Sequence, residues 1–549
     1  MPKTQKPLFS ISRLDIIFAI IIGILSLALY VHTLAPSLLY GDISEFQTLS
    51  YTLGMTHASG YPTQIIFGKL FTFLPFGDIA YRVNLMSACF GAMAAANVYL
   101  IVRLMGGWRT AGLAASSALT VSTFFWRRMI IAESYGPAAG MLSLVWLSVL
   151  LWRRTENWRW LFLAGLAGGL SLGIHSTVIM TGASVLVYML LTARKRSAWL
   201  GAAGGATLGL ALTFAFFLYL DYNDPPSSIY NTTYRTNLDV FGLTPEEFDS
   251  PTDRLLAIFP AGSFWTYYFS ATPEEINRRI FEYVNSFPRW QMLGIFLGAL
   301  YPFGALALFA FTKNGAWRWA EGLYPLIAFA LIWVFAVSVE FSVYQEFYVP
   351  VAVIVHVWLG VGISTLLDGV EWPLKRWQVI GGVLSVPAPV ERSGLGSKDP
   401  ERSGLLVSIL GLALVALSLW NARTDLRLAV TEGTTAFIQK EKIYPRDPER
   451  ATKEGHRILS QVEDNAILFA NWDRLYSYVY TAHILEGRTE IALHQVLTPP
   501  QPGTTTKAYI DANIETRPIY FTLEVAGLDA YYNIEQIEPQ LFLITKKRP

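Results

Sequence analysis

The chain has 549 residues, 53% hydrophobic and only 15% charged, and its charges nearly cancel at +1. Soluble globular chains carry about 25% charged residues, so most of this one belongs in a membrane, and the balanced charge gives no case for a nucleic-acid partner. The single cysteine, Cys89, excludes an intramolecular disulfide and a cysteine metal cluster. It reads as a small buried hydrophobe.

In chain order, Lys3, Lys6 and Arg13 precede an apolar run from Leu14 to about Leu34. That run exceeds the roughly 7–15 residues of a signal h-region and ends in no small-x-small cleavage site, so a retained first membrane helix is expected. Further apolar runs lie near residues 83–102, 110–126, 135–152, 160–175, 177–192, 199–220, 291–311, 320–339, 348–366 and 405–420. With the first they make about eleven spans, each close to the ~20 residues that cross ~30 Å of hydrocarbon.

Positive charge sets the expected orientation. Arg103 and Arg109, Arg153 and Arg154, Arg194 to Arg196, Lys313 and Arg318, and Lys375, Arg376, Arg392 and Lys398 fall in loops on one side. The short loops near 175 and 340–347 carry no Lys or Arg. The bias predicts a multi-pass protein of the plasma membrane with a cytoplasmic N-terminus and, for an odd number of spans, an extracytoplasmic C-terminus. Residues 1–420 then form a transmembrane domain with outer loops 35–82 and 221–290, and 421–549 an extracytoplasmic domain. Within the first loop, Gln64 to Phe76 is apolar but too short to span, and is expected to lie in the interface.

The tail differs in texture. Asp464 to Ala470 reads as a turn entering a buried strand, Arg474 to Leu485 as a helix, and Pro518 to Leu523 and Gln540 to Ile544 as further strands. A small α/β domain of about 120 residues follows. Glu391-Arg392-Ser393-Gly394-Leu395 recurs as Glu401-Arg402-Ser403-Gly404-Leu405. Two copies make no repeat architecture, and the segment reads as a flexible cytoplasmic loop.

The first outer loop carries the strongest chemical signal, Tyr40-Gly41-Asp42-Ile43-Ser44-Glu45-Phe46. A carboxylate at the edge of hydrocarbon loses hydration, so it pairs, binds an ion or handles a proton. On a helix, Asp42 and Glu45 would share a face, and mutual repulsion with desolvation suits one of them to be a general base. Helix capping, with Asp42 as N-cap and Glu45 at N3, is the other reading. His57 and the turn Gly60-Tyr61-Pro62 follow, where His57 could touch a phosphate or a sugar hydroxyl or be satisfied by backbone.

Arg127, Arg128 and Glu133 form a second outer cluster. Paired arginines there run against the positive-inside bias and suggest an anionic ligand, or else snorkel to headgroups. Glu133 could join Asp42 or neutralise an arginine. His175 ends the glycine-rich run from Gly165, where small residues let helices approach closely. Trp472-Asp473 follows a predicted strand, at a position where loops bind ligands or simply turn. Asn231-Thr232-Thr233 has the form of a glycosylation acceptor. No GxxxxGK[ST], HExxH or GxSxG motif is present, so nucleotide hydrolysis within this chain is not expected.

Gly41-Asp42-x-Ser44-Glu45-Phe46, Leu53-Gly54, His57-x-x-Gly60-Tyr61-Pro62 and Arg82-Val83-Asn84 together resemble one membrane family. Trp126 with Glu133-x-Tyr135 and Gly169-Leu170-Ser171-Leu172-Gly173-x-His175 extend the likeness over about residues 14–366. It is a largely bacterial domain-of-unknown-function family of the GT-C glycosyltransferase class, related to protein O-mannosyltransferases. The family usually has Gly after Asp-Ser and Pro-Pro after the histidine; this chain has Ile43-Ser44 and Ala58-Ser59, which bears on the acceptor more than on the chemistry. No role is carried onto the tail.

The resemblance implies a polytopic α-helical GT-C-like fold and an inverting transfer of a sugar, mannose by family expectation, from a polyprenyl-phosphate carrier at the outer face. The acceptor would be a protein Ser/Thr, a lipid or a glycan. Asp42 would be the base with Glu45 or Glu133 orienting it, and Arg127 and Arg128 would hold the donor phosphate. His57, Tyr61, Glu133 and His175 would touch substrate. No tightly bound cofactor is expected, although Asp42, Glu45 and Glu133 could share a divalent ion. A transporter or flippase for a lipid-linked or anionic substrate is the alternative, although the sequence shows no internal symmetry of the kind many transporters have. A receptor or scaffold working through its tail is a third reading, and it leaves the first loop unexplained.

Overall fold

The computed structural model describes residues 11–259, 266–303, 315–340, 344–383, 405–435, 447, 449–497, 503–525 and 527–547. Helix α1 (Arg13–His32) starts from a capping box between Ser12 and Asp15. Two short helices, α2 (Asp42–Thr52) and α3 (Pro62–Thr72), come next, and α4 (Ile79–Leu104) runs back through the bundle. Then follow α5 (Arg109–Thr120), α6 (Thr123–Trp126), α7 (Tyr135–Thr155), α8 (Trp158–Ser171), α9 (Ile179–Thr192) and α10 (Arg196–Asn223). The outer segment predicted at 221–290 holds irregular turns, α11 (Pro251–Ile258) and α12 (Pro273–Asn285). Helices α13 (Arg289–Ala299), α14 (Gly315–Ser338), α15 (Val349–Val383) and α16 (Leu405–Asn421) complete the bundle.

Every apolar run coincides with helical structure where it is described, but fewer helices span by length. Six described helices are long and apolar enough to cross a membrane, or seven if α16 and the helix after it form one bent span. Helices α5, α8, α9 and α13 have 12, 14, 14 and 11 residues, short of the ~20 that a straight crossing needs. The Gln64–Phe76 segment is α3, whose end leaves Leu70 and Phe73 exposed as an interfacial helix would. The duplicated Glu-Arg-Ser-Gly segment lies outside the described residues.

Glycine governs the approach of α8 to α10. A Cβ at Gly205 would lie 2.0 Å from the Phe162 carbonyl oxygen, and one at Gly169 would lie 2.8 Å from the Gly209 Cα. The backbones therefore touch, which is the packing that small residues permit where lipid supplies no hydrophobic drive.

The tail begins as a helix rather than as new material. Helix α17 (Arg423–Glu432) leaves α16 at a 60° bend. Beyond it come α18 (Arg450–Leu459), β1 (Ile467–Ala470), α19 (Trp472–Val479), β2 (Ala492–Gln495), α20 (Thr504–Asn513), β3 (Ile519–Phe521), β4 (Tyr532–Glu538) and β5 (Leu541–Lys546). The strands form one sheet in the order β2-β1-β3-β5-β4, parallel across β2-β1-β3 and antiparallel beyond. Alternation along β1 splits the core: Leu468 joins the apolar cluster that contains Phe46, Val83 and Trp126, whereas Ile467 and Phe469 face a second cluster with Ile510 and Phe521. The sheet is thus seated on the bundle. Strands β2 and β4 went unread, the first for its brevity and the second for the polar run Asn533-Ile534-Glu535-Gln536 on an exposed edge.

Candidate active site

The first-loop motif folds around one asparagine. Asn84 on α4 donates to the Ala35 carbonyl and accepts from the Ala132 amide and from Gln47 Nε2, at 3.0, 2.9 and 2.9 Å. Three segments are pinned at a buried point where unpaired amides would be costly. Arg82 secures the turn before α4 by donating to the carbonyls of Thr72, Phe76 and Gly77. Trp126 donates to Thr33 Oγ1 at 2.8 Å and ties α6 to the end of α1. Asn84 and Gln47 were not singled out as site residues, although Arg82-Val83-Asn84 lies within the quoted likeness.

Asp42 is the first residue of α2, with Gly41 as its N-cap at φ +62°, so the expected capping box of Asp42 and Glu45 does not form. The two carboxylates part company. Asp42 is exposed toward a cavity of about 580 Å³ at the start of α2. Glu45 is fully buried and off the cavity, with both oxygens spent on His57: one accepts the His57 backbone N–H at 2.8 Å, the other meets Nδ1 at 2.5 Å. Burial lowers a histidine's proton affinity, but Glu45, with Asp42 and Glu133 nearby, pushes His57 up to about 9. His57 is therefore a cation on the cavity wall, held from behind by its carboxylate.

Tyr61 sits at φ +43° just before α3, and its ring packs 5.2 Å from Phe46, 5.1 Å from His57 and 6.1 Å from His175. His175 caps the turn after α8. Its Nδ1 accepts the Thr177 N–H and meets the Thr177 hydroxyl at 2.7 Å, which leaves Nε2 as the protonated nitrogen. Burial, reinforced by the charge on His57, drops it to about 3, so it stays neutral. Gly173, two residues earlier, accepts the Gln64 N–H at 3.0 Å and brings this turn against α3.

The arginines lie elsewhere than expected. Arg128 is buried and ion-paired to Glu346 and, at 3.6 Å, to Glu133. Arg127 lies half-buried with its guanidinium 5.8 Å from the Phe124 ring. Neither is among the residues lining the cavity, whereas Glu133, the partner of Arg128, does line it. Burial and the neighbouring Glu346 hold Glu133 well above the usual carboxylate range, against Arg128. The shared metal set is not assembled, because Glu45 is committed to His57; among the described residues no group of three or more His, Cys, Asp or Glu gathers as ion ligands. Asn231 is also occupied, its amide donating to Asp224 and Pro225.

The tail completes the wall. Trp472, first residue of α19, donates its indole N–H to Asp42 Oδ1 at 2.6 Å, and the Gly41 N–H donates to the Asp473 carbonyl at 3.0 Å. Among the described residues no other hydrogen bond reaches the Asp42 carboxylate. The sequence marks Trp472-Asp473 only as a position after a strand, where loops bind ligands or simply turn; nothing local links positions 430 residues apart.

Residues 42–198 match the model of the Protein O-mannosyl-transferase TMEM260 N-terminal domain. Protein O-mannosyl-transferase TMEM260 of Mus musculus is 37% identical over 109 residues, and that of Dictyostelium discoideum 28% over 131. These stretches cover 20% and 23% of this chain and 16% of each relative. ArnT from Cupriavidus metallidurans, solved bound to undecaprenyl phosphate, superposes with a TM-score of 0.52 over 96% of this chain and 97% of its own, at 13% identity. The family resemblance read from the first loop is thus borne out: residues 42–198 are similar to the TMEM260 N-terminal domain, and the chain has a GT-C-like membrane fold.

Proposed function

We infer that the chain is an inverting glycosyltransferase that moves a sugar, mannose, from a polyprenyl-phosphate carrier to a Ser/Thr hydroxyl of a protein at the outer membrane face. The observation that carries this reading is Asp42: a carboxylate at a helix start, steadied by one indole and open to a large cavity. Such a group is oriented yet free to take a proton, as a general base must be. The acceptor hydroxyl gives its proton to Asp42 as its oxygen attacks the anomeric carbon. The bond from that carbon to the phosphate oxygen breaks, and the electron pair leaves with the polyprenyl phosphate.

A phosphate leaving group demands no general acid across from the base, unlike the carboxyl pair of a glycosidase. It does develop negative charge, and the His57 imidazolium meets that charge from the cavity wall. Neutral His175 offers Nε2–H, and Glu133 a hydrogen-bonding carboxyl, to the hydroxyls of the sugar. Glu45 orients and charges His57 rather than Asp42.

The test is a transfer assay with the purified full chain in detergent, labelled polyprenyl-phosphate mannose and a Ser/Thr-containing peptide or membrane extract. Label is expected in the acceptor. No transfer from this donor or from its glucose counterpart would overturn the reading in favour of transport.

A further inference from the structure

Strands β1 and β2 run parallel with Ala470 opposite Gln495, so the chain leaves both at the same edge of the sheet. Asn471 and Trp472 emerge beside Val496 and Leu497, with Val240 closing the side, and together they border an open groove of about 480 Å³. Open sheets bind ligands outside the carboxyl ends of parallel strands, where backbone groups and loop side chains converge.

Four residues of that groove (Val240, Trp472, Gln495 and Leu497) also line the cavity holding Asp42. Groove and cavity thus share a wall, and Trp472 stands in it. Gln495 is 8% exposed, and its Oε1 accepts from Thr233 Oγ1 at 3.0 Å. Its Nε2 has no partner among the described residues, and the side chain borders both spaces. An amide donor left without a protein partner beside these spaces can donate to a ligand carbonyl or hydroxyl.

We propose that this groove is the entrance for the acceptor, a subsite for an extended polypeptide whose Ser or Thr passes Trp472 to reach Asp42; it rests on the transferase reading. The lining favours peptide over glycan. A saccharide wants an aromatic platform, and the one ring here is already engaged, with Trp472 edge-on to His57 and Tyr476 at 5.7 and 5.6 Å and its N–H on Asp42. What remains is two amides, Asn471 and Gln495, the exposed Asp473, and the aliphatic groups of Val240, Val496 and Leu497. Amides suit main-chain N–H and C=O, and aliphatic groups suit side chains of an extended chain.

The test measures binding of a fluorescein-labelled Ser/Thr peptide to the full chain in detergent, with wild type beside Asn471→Trp, Asn471→Gln and Asp42→Asn. Asn471 is exposed, so its replacement leaves folding intact, which unchanged thermal melting verifies. Asn471→Trp is expected to weaken binding at least tenfold, while Asn471→Gln and Asp42→Asn stay within about twofold of wild type. No binding by wild type, equal binding by Asn471→Trp, or displacement of the peptide by a neutral manno-oligosaccharide would each overturn the proposal. Peptide binding without any sugar transfer would sink the transferase reading and keep the groove.

Discussion

Two carboxylates near opposite ends of α1 have opposite surroundings. Asp15, in its first turn, is buried with both oxygens filled: Oδ1 accepts from Tyr99, Arg103 and Arg109 at 3.0, 2.9 and 3.0 Å, and Oδ2 from Ser12 N and Oγ at 2.9 and 2.7 Å. Asp42, beyond its last turn, accepts one described hydrogen bond and looks into a cavity. A carboxylate has about four lone-pair sites. Asp15 has none to offer, and it braces α1 against α4 and α5. Asp42 keeps lone pairs unfilled, as the proposed base requires. Saturation separates a brace from a working group, and acidic residue type alone does not.

The contrast is broken most sharply by exchanging consequences. Asp42→Asn should lower the transfer rate by about 10²–10⁴-fold, the usual worth of a positioned base, with thermal melting unchanged. Asp15→Ala should do the reverse. It removes the carboxylate that Arg103 and Arg109 share and so lowers the melting temperature, while the rate per folded molecule is kept. Melting curves and rates on the same preparations check both.

Glu45→Gln sharpens the comparison through pH. His57 is held at about 9 chiefly by Glu45 against the opposing effect of burial, so its imidazolium persists below that pH and is lost as pH rises through it. The same raised value stabilises the fold fully below the ordinary 6.5 and ceases to do so above about 9. Donor binding by wild type should therefore fall off near pH 9, and in Glu45→Gln the fall should move down toward the ordinary histidine range. Titrating undecaprenyl phosphate binding across pH 6 to 10 reads this directly; a fall that stays near 9 in the variant contradicts the role given to Glu45. Trp472→Phe, which keeps the ring and removes the indole N–H, should have the smallest effect, about a tenfold lower rate with peptide binding kept.

Much of the helical frame was legible because hydrophobic length is a local signal, and Asp42 was legible because a charge beside hydrocarbon stands out in one dimension. The parting of Asp42 from Glu45 was not. A separation of three predicts a shared helix face, but the turn at Gly60 and Tyr61 brings His57 onto Glu45 alone. The partner of Arg128 is hidden in the sequence for a related reason: charge at a membrane edge signals a partner without naming it, and Arg128 pairs with Glu346, 218 residues away. Trp472 illustrates the limit most plainly, since its hydrogen bond to Asp42 depends on the tail sheet seating itself on the bundle.

The most direct test of the central claim follows the sugar itself. The full chain would be incubated with polyprenyl-phosphate mannose and a Ser/Thr peptide, and the anomeric configuration of the product read by NMR as carrier is released. The account predicts free polyprenyl phosphate and one glycopeptide with the anomeric centre inverted. Mannose recovered still attached to its carrier, merely moved across a vesicle, or a product of retained configuration, would contradict it.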